Sequence, residues 1–194
     1  MYASSAAVYG DNPEIPLAET AAVRPLSAYG ADKLGCELHG RVAGQVHGVP
    51  TVGLRFFNVF GPRQDPKSPY SGVISIFCDR LRAGQGITIF GDGRQTRDFV
   101  YVGDVVAALL AAMERLPEGS PVFNVCTGRT TSVLELAETV AELCDSEPTI
   151  QFQPPRAGEI KESLGNPERA AAVLGMRARI DLRSGLIRTL GLCA

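Results

Sequence analysis

The chain contains no run of about 18 consecutive apolar residues, the length a helix needs to cross a bilayer. Its start shows no basic region leading into an apolar stretch, so no secretory signal is legible. A surplus of one charge is missing too. Lys and Arg number 19 against 21 Asp and Glu, a net −2, which argues against a nucleic-acid binder, whose affinity rests on a basic surface that displaces counterions. Cysteine is sparse: Cys36, Cys78, Cys126, Cys144 and Cys193 are odd in number and form no C-x-x-C pair. That pattern excludes a disulfide framework and a zinc site, and it matches reduced, cytoplasmic thiol usage. There is neither an internal repeat nor a low-complexity tract. What is present is 194 residues, 45% of them hydrophobic, enough to bury the core of one large domain or two small ones.

Breakers and periodicity divide the chain. Met1 to Val8 reads as the end of a buried strand, followed by a loop punctuated by Gly10, Asn12, Pro13, Pro16 and Pro25. Ser27 is placed to cap a helix over 28–47, in which Leu34, Leu38, Val42 and Val46 recur every four residues on one face. The same helix holds Gly30, Gly35, Gly40 and Gly44, each costing about 1 kcal/mol relative to Ala; close packing against another helix would offset that cost. A strand over 50–55 leads into a turn-rich stretch at 56–64. The pattern then predicts a helix over 73–83, strands over 87–90 and 98–102 around a Gly-Asp-Gly turn, an Ala-rich helix over 104–116 and a strand over 122–125. Ser132, with Glu135 three residues on, opens a helix reaching Cys144 as a capping box. A strand at 149–152 and short helices at 167–174 and 182–190 follow. Strands alternating with helices give an α/β class.

Tyr29 and Lys33 stand at i and i+4 on one face of the first helix. A phenol ordinarily keeps its proton until about pH 10, and an ammonium beside it favours the phenolate. The pair is a chemically sensible base for taking a proton from an alcohol, although Tyr-x-x-x-Lys alone specifies little. Four further segments surround it: Ser4-Ser-Ala-Ala-Val-Tyr-Gly10, Leu54-Arg-Phe-Phe-Asn-Val-Phe-Gly-Pro-Arg-Gln64, Ile89-Phe-Gly-Asp-Gly-Arg-Gln-Thr-Arg-Asp-Phe-Val-Tyr-Val102 and Pro155-Arg-Ala-Gly-Glu-Ile160.

In order and spacing these five segments resemble the extended short-chain dehydrogenase/reductase superfamily, in particular its NAD-dependent nucleotide-sugar epimerase/dehydratase family. They are most similar to the UDP-glucose/UDP-N-acetylglucosamine 4-epimerase type. The resemblance runs to about residue 185. It implies an α/β fold made of the C-terminal part of a Rossmann-like doubly wound parallel sheet and a small α/β substrate-binding domain. Residues 1–70 would belong to the Rossmann-like part and 71–194 mainly to the substrate domain, with 98–125 returning to the Rossmann sheet.

The resemblance also implies roles. Ser5, Tyr29 and Lys33 would be catalytic, Ser5 passing the sugar hydroxyl's proton toward Tyr29. Tyr29, Lys33 and Phe56 would meet the nicotinamide end of NAD, the implied cofactor. Asn58, Arg97 and Arg156 would contact the diphosphate of a UDP-sugar, a task suited to the guanidinium's bidentate fork. Thr88 and Phe90 would hold the uracil. Ser163 would lie beside the C2 substituent of the sugar, where a small side chain leaves room for an N-acetyl group. Read without the family, Ser5 is a strand-end cap, Asn58 a turn residue, Phe90 a core aromatic and the arginines solvated loop charges. Related dehydratases and decarboxylases carry carboxylates just after the active-site Ser/Thr; here Ala6 and Ala7 fill those places and cannot do acid–base work. In the family the Tyr-bearing helix packs in a dimer interface, so a homodimer through that helix is expected.

The departures are as informative. No G-x-x-G-x-x-G or G-x-G-x-x-G occurs in the sequence, so the turn that seats the NAD pyrophosphate against a helix N-terminus is missing. Glu159 stands where Asp is usual, and Asn166 where Asp is common. Three readings follow: an epimerase lacking its N-terminal NAD-binding segment and inactive by itself, a short protein that binds nucleotide sugars without redox chemistry, and a non-functional remnant. A strand over 1–8 would form a sheet edge with its outer neighbours absent.

Overall fold

The structure, a computed structural model, describes residues 1–68, 72–115, 117–156, 158 and 160–192. Expectations that fall on Leu116, Glu159 and Cys193 lie outside them. In chain order the elements are β1 (Tyr2–Ser5), a 3₁₀ turn (Ala6–Tyr9), α1 (Ala28–His47), β2 (Gly53–Phe56), β3 (Asn58–Phe60), α2 (Val73–Arg82), β4 (Ile87–Phe90), β5 (Thr96–Arg97), β6 (Phe99–Tyr101) and α3 (Val102–Arg115). They continue with β7 (Val122–Val125), β8 (Thr131–Ser132), α4 (Val133–Leu143), β9 (Ile150–Gln153), β10 (Glu162–Ser163), α5 (Glu168–Leu174) and α6 (Leu182–Leu190).

Three strands, β1-β2-β7, form a wholly parallel sheet, and β1 has β2 as its one neighbour among the described strands. Parallel pairing needs crossovers, which α1 supplies between β1 and β2. The chain then changes partners within two residues. Phe57 N–H still bonds Val125 O on β7 at 3.1 Å, but Asn58 N–H bonds Asp98 O at 3.0 Å, and β3 runs parallel to β6. Two further small units, β4-β9 and β10-β5-β8, complete the set.

The apolar interior divides accordingly. Leu54, Val100, Phe123 and Val125 pack with α3 and α5 through Ala108, Ala112, Ala170 and Leu174. Ile74, Phe77, Ile87, Ile89, Leu136, Val140 and Leu186 fill a second core among α2, β4, α4 and α6.

Most predicted elements appear within a residue or two. α1 spans 28–47, with Ser27 Oγ accepting from Gly30 N–H. Ser132 caps α4 by accepting from Glu135 N–H. Four expectations are corrected. The first strand stops at Ser5, whose side chain caps a 3₁₀ turn. The stretch at 56–64 contains β3, and the strand expected over 98–102 is shorter, α3 beginning at Val102. Gly30 and Gly40 of α1 pack against the sheet side, not another helix, and Gly35 faces open space: a Cβ at Gly40 would strike the Tyr2 ring, and one at Gly30 the Ala7 carbonyl.

Candidate functional site

Four of the cleft-lining residues singled out above are the last residue of their strand: Ser5 of β1, Phe56 of β2, Phe90 of β4 and Arg97 of β5. In parallel α/β sheets the carboxyl ends of strands open onto the ligand crevice, and here they open onto a cleft of about 600 Å³. Tyr29 from the first turn of α1, Asn58 and Thr88 from β3 and β4, and Arg156 from the loop after β9 also line it. Eight of the ten expected site residues therefore share one cavity.

At one end, Ser5 Oγ accepts from Ala7 N–H at 3.2 Å. A hydroxyl that accepts this way keeps its own O–H free to donate. Tyr29 is 47% exposed, and Lys33 Nζ lies 5.6 Å from its ring centroid. Lys33 does not line the cleft; its Nζ donates to Ala3 O on β1 at 3.2 Å, which holds the cation beneath the Ser5–Tyr29 end. At the other end, alternation along β4 buries Ile87 and Ile89 in the core and turns Thr88 and Phe90 to the cleft. The Arg156 guanidinium covers the Phe90 ring at 3.9 Å, a cation–π contact. Arg97 donates from Nη1 to Thr96 O at 2.8 Å. Ser163, expected beside the sugar, is buried on β10 in register with Arg97 and is not among the residues that line the cleft.

Several functional side chains were not anticipated. Asp98, fully buried, accepts at Oδ1 from Thr127 N–H (2.8 Å) and its hydroxyl (2.7 Å), and at Oδ2 from Gly128 and Gly165 N–H (2.9 and 3.4 Å). Its carbonyl takes the backbone N–H and Nδ2 of Asn58, so it fixes Asn58 at the cleft wall. Burial pushes the Asp98 carboxyl above the usual range, against the pull of these hydrogen bonds. The available signal was a carboxylate at the head of the strand expected over 98–102, where Asp is depleted. Gln95 lines the cleft and braces the end of β4 through Nε2 to Phe90 O at 2.8 Å. Arg80, on the α2 face shared with Val73 and Ile76, adds another cation. Beneath the Ser5 end lies a buried polar network joining Ser4, Glu37, Arg55, Tyr9 and Asn124. Burial opposes the Arg55 charge, but its hydrogen bonds to Glu37 and Tyr9 outweigh it and raise its pKa. Burial likewise pushes the Cys78 thiol up to about 12, so it is no nucleophile at neutral pH. No group of three or more metal-ligating side chains occurs among the described residues, nor any helix long and apolar enough to cross a membrane.

Residues 1–126 match the family described as NAD dependent epimerase/dehydratase. A UDP-glucose 4-epimerase of Mycolicibacterium smegmatis is 37% identical over 96% of this chain and 59% of its own length. Among solved structures, the UDP-glucose 4-epimerase of Thermotoga maritima with UDP-glucose superposes with a TM-score of 0.93 at 36% identity. The UDP-N-acetylglucosamine 4-epimerase of Methanobrevibacter ruminantium, in complex with UDP-N-acetylmuramic acid, does so with 0.93 at 35%. In both cases 98% of this chain and 61% of the other are covered. The chain thus spans about three fifths of the length of the relatives it matches.

Proposed function

Because the chain belongs to the NAD dependent epimerase/dehydratase family, we propose that its cleft takes a UDP-hexose and that its Ser5–Tyr29–Lys33 corner serves inversion of the sugar at C4. The observation that carries this reading is the single cavity in which Ser5 and Tyr29 stand at one end and Phe90, Arg97 and Arg156 at the other. UDP-glucose/UDP-galactose and UDP-N-acetylglucosamine/UDP-N-acetylgalactosamine are the candidate pairs.

The chemistry of this chain's own residues follows from their placement. Tyr29, beside the Lys33 cation, is the base that takes the proton of the 4-hydroxyl. Ser5 carries it, since its oxygen is already held by Ala7 N–H and its proton is free to donate. Loss of this proton together with the C4 hydride, for which NAD would be the acceptor, would give a 4-keto sugar. Arg97 and Arg156 grip the diphosphate bidentately, and the uracil replaces the Arg156 guanidinium on the Phe90 face. An anchored nucleotide lets the keto sugar turn without leaving, which preserves effective molarity in the return step. The 3₁₀ turn after Ser5 carries Ala6 and Ala7, which favours epimerisation over dehydration.

NAD, when bound, supplies a hydride acceptor and donor for C4. The residues present fit only one end of it. Lys33, Tyr29 and Phe56 cluster by the carboxyl ends of β1 and β2 and suit the nicotinamide ribose. The pyrophosphate finds no seat: the sequence holds no glycine-rich dinucleotide turn, and the outer edge of β1 is unpaired among the described strands. The isolated chain therefore binds the nucleotide sugar but does not turn it over.

The test is conversion of UDP-galactose to UDP-glucose with added NAD⁺. The chain alone is expected to show none. A fusion carrying the N-terminal segment of the Mycolicibacterium relative is expected to show turnover, lost by about 100-fold or more in Tyr29→Phe with UDP-glucose binding intact. Turnover by the chain alone overturns its inactivity, and an active Tyr29→Phe fusion removes Tyr29 from the mechanism. The second reading, a binding protein without redox chemistry, is favoured by the same missing pyrophosphate seat and predicts binding but no turnover in either form.

A homodimer through α1 is part of this proposal. Leu38, Val42 and Val46, 47%, 46% and 69% exposed, line one face of that helix and await an apolar partner.

A further inference from the structure

α1 docks on its sheet in an unusual way. A helix normally turns its large apolar side chains inward, but α1 leaves Leu38, Val42 and Val46 exposed and buries Gly30, Glu37 and Gly40. Glycines permit close approach yet offer little that interlocks, and of the large apolar side chains on this helix Leu34 packs, half-buried, against the Val8 and Tyr9 core. Glu37 is the one long polar side chain buried on that face.

Its carboxylate, 8% exposed, takes a two-pronged grip from Arg55 on β2, Nε at 2.8 Å and Nη2 at 2.7 Å, and a third bond from the Ser4 hydroxyl on β1. Ser4 and Arg55 face one another in register across the two strands. Arg55 is pinned in turn: Nη1 donates to Tyr9 Oη at 2.8 Å and to Glu19 O at 3.1 Å, and Tyr9 donates to Asn124 on β7 at 2.7 Å. One carboxylate on the helix is thereby tied to all three strands of the parallel sheet.

The placement of this tie suggests its use. Tyr29, Lys33 and Glu37 fall at successive four-residue steps on α1, so whatever sets the rotation of Glu37 sets that of the other two. Ser4 immediately precedes Ser5. A buried ion pair adds little net stability compared with an apolar pair of the same volume, while its geometry is strict. We infer that Glu37 and Arg55 are positioning residues, whose buried ion pair sets the register of α1 so that Tyr29 and Lys33 face Ser5. The inference rests on the roles proposed above for those three residues.

The test uses the 194-residue chain labelled with 3-fluorotyrosine, the Tyr29 fluorine signal being assigned by its loss in Tyr29→Phe. Two variants are compared with wild type: Glu37→Gln, and the double change Glu37→Met with Arg55→Met, which replaces the ion pair by apolar volume. The expected result is a displaced or split Tyr29 signal in both, with the Kd for UDP-glucose within about twofold of wild type and the thermal midpoint of the double variant close to wild type. A Tyr29 signal unchanged in either folded variant overturns the inference. So does a parallel loss of fold, UDP-glucose affinity and Tyr29 signal in both, because the pair then serves folding alone. If wild type itself fails to bind UDP-glucose, the functional proposal falls, while the fluorine comparison still decides whether the pair places the helix.

Discussion

Asp98 shows how a single residue can shape a site without entering it. Its carboxylate gathers the backbone N–H groups of Thr127, Gly128 and Gly165, and its carbonyl holds Asn58. An Asn at this position presents one acceptor oxygen and one amide that faces donors. Asp98→Asn is expected to cost about 1–3 kcal/mol, read as a lowered denaturant midpoint at unchanged slope. A midpoint equal to wild type would remove Asp98 from the architecture of the cleft wall. The contrast with Ser5, Tyr29 and Lys33 is physical. Those three were proposed from short ordered segments that resemble a family pattern, whereas the partners of Asp98 lie some 30 to 67 positions away. Arg97 and Arg156 were proposed as diphosphate contacts only through the ordered segments around them. That Arg156 rests on Phe90 depends on a loop meeting a strand 66 positions distant, and no local pattern encodes it.

Among the elements, α1 and β7 were readable almost to the residue. Ser27 and Gly48 bracket the helix with a side-chain cap and a left-handed glycine, and Val122–Val125 is a short apolar run between turn residues. β3 was read as turn because its strand character comes from pairing with β6, about 40 residues on. The inward face of α1 was hidden for a related reason: periodicity points to Leu38 and Val42, but the sheet accepts Gly40 and Glu37. The C-terminal helices carry a different signature. Hydrogen bonds from Arg183 hold Glu142 of α4 below its ordinary value of 4.5, those from Arg177 do the same for Glu168, and those from Ser184 lower Asp181 at the α6 cap. Groups with depressed folded values contribute stability above their unfolded values, lost as pH falls through the folded ones. Asp98 works in the opposite sense, its share being present at low pH and lost as pH rises. The three lowered carboxylates are expected to pull the thermal midpoint down as pH drops from about 4.5, a slope that Asp98 opposes. The double variant Glu142→Gln with Glu168→Gln should flatten that slope, and a slope identical to wild type would contradict the assignment. Both ion pairs are exposed, so added salt should weaken the effect.

At the scale of the molecule, the residues proposed to bind a nucleotide sugar and those proposed to move its proton line one cleft, while the sequence holds no glycine-rich dinucleotide turn. The class of fold was legible because strands and helices alternate. The partition was less so, since α5, far along the chain, packs with the parallel sheet through Ala170 and Leu174. The exposed stripe on α1 belongs to this scale as well. Sedimentation of the chain is expected to report a dimer, and Leu38→Glu with Val42→Glu a monomer of unchanged helix content; a monomeric wild type would leave that face without the proposed partner. The most direct test of the cleft as a nucleotide-sugar site is a calorimetric titration of the chain with UDP-glucose. A saturable 1:1 isotherm is expected, unchanged in Tyr29→Phe and weakened at least about 10-fold in Arg156→Ala, the loss of a charge-assisted hydrogen bond pair. No binding, or equal binding by wild type and Arg156→Ala, would contradict it.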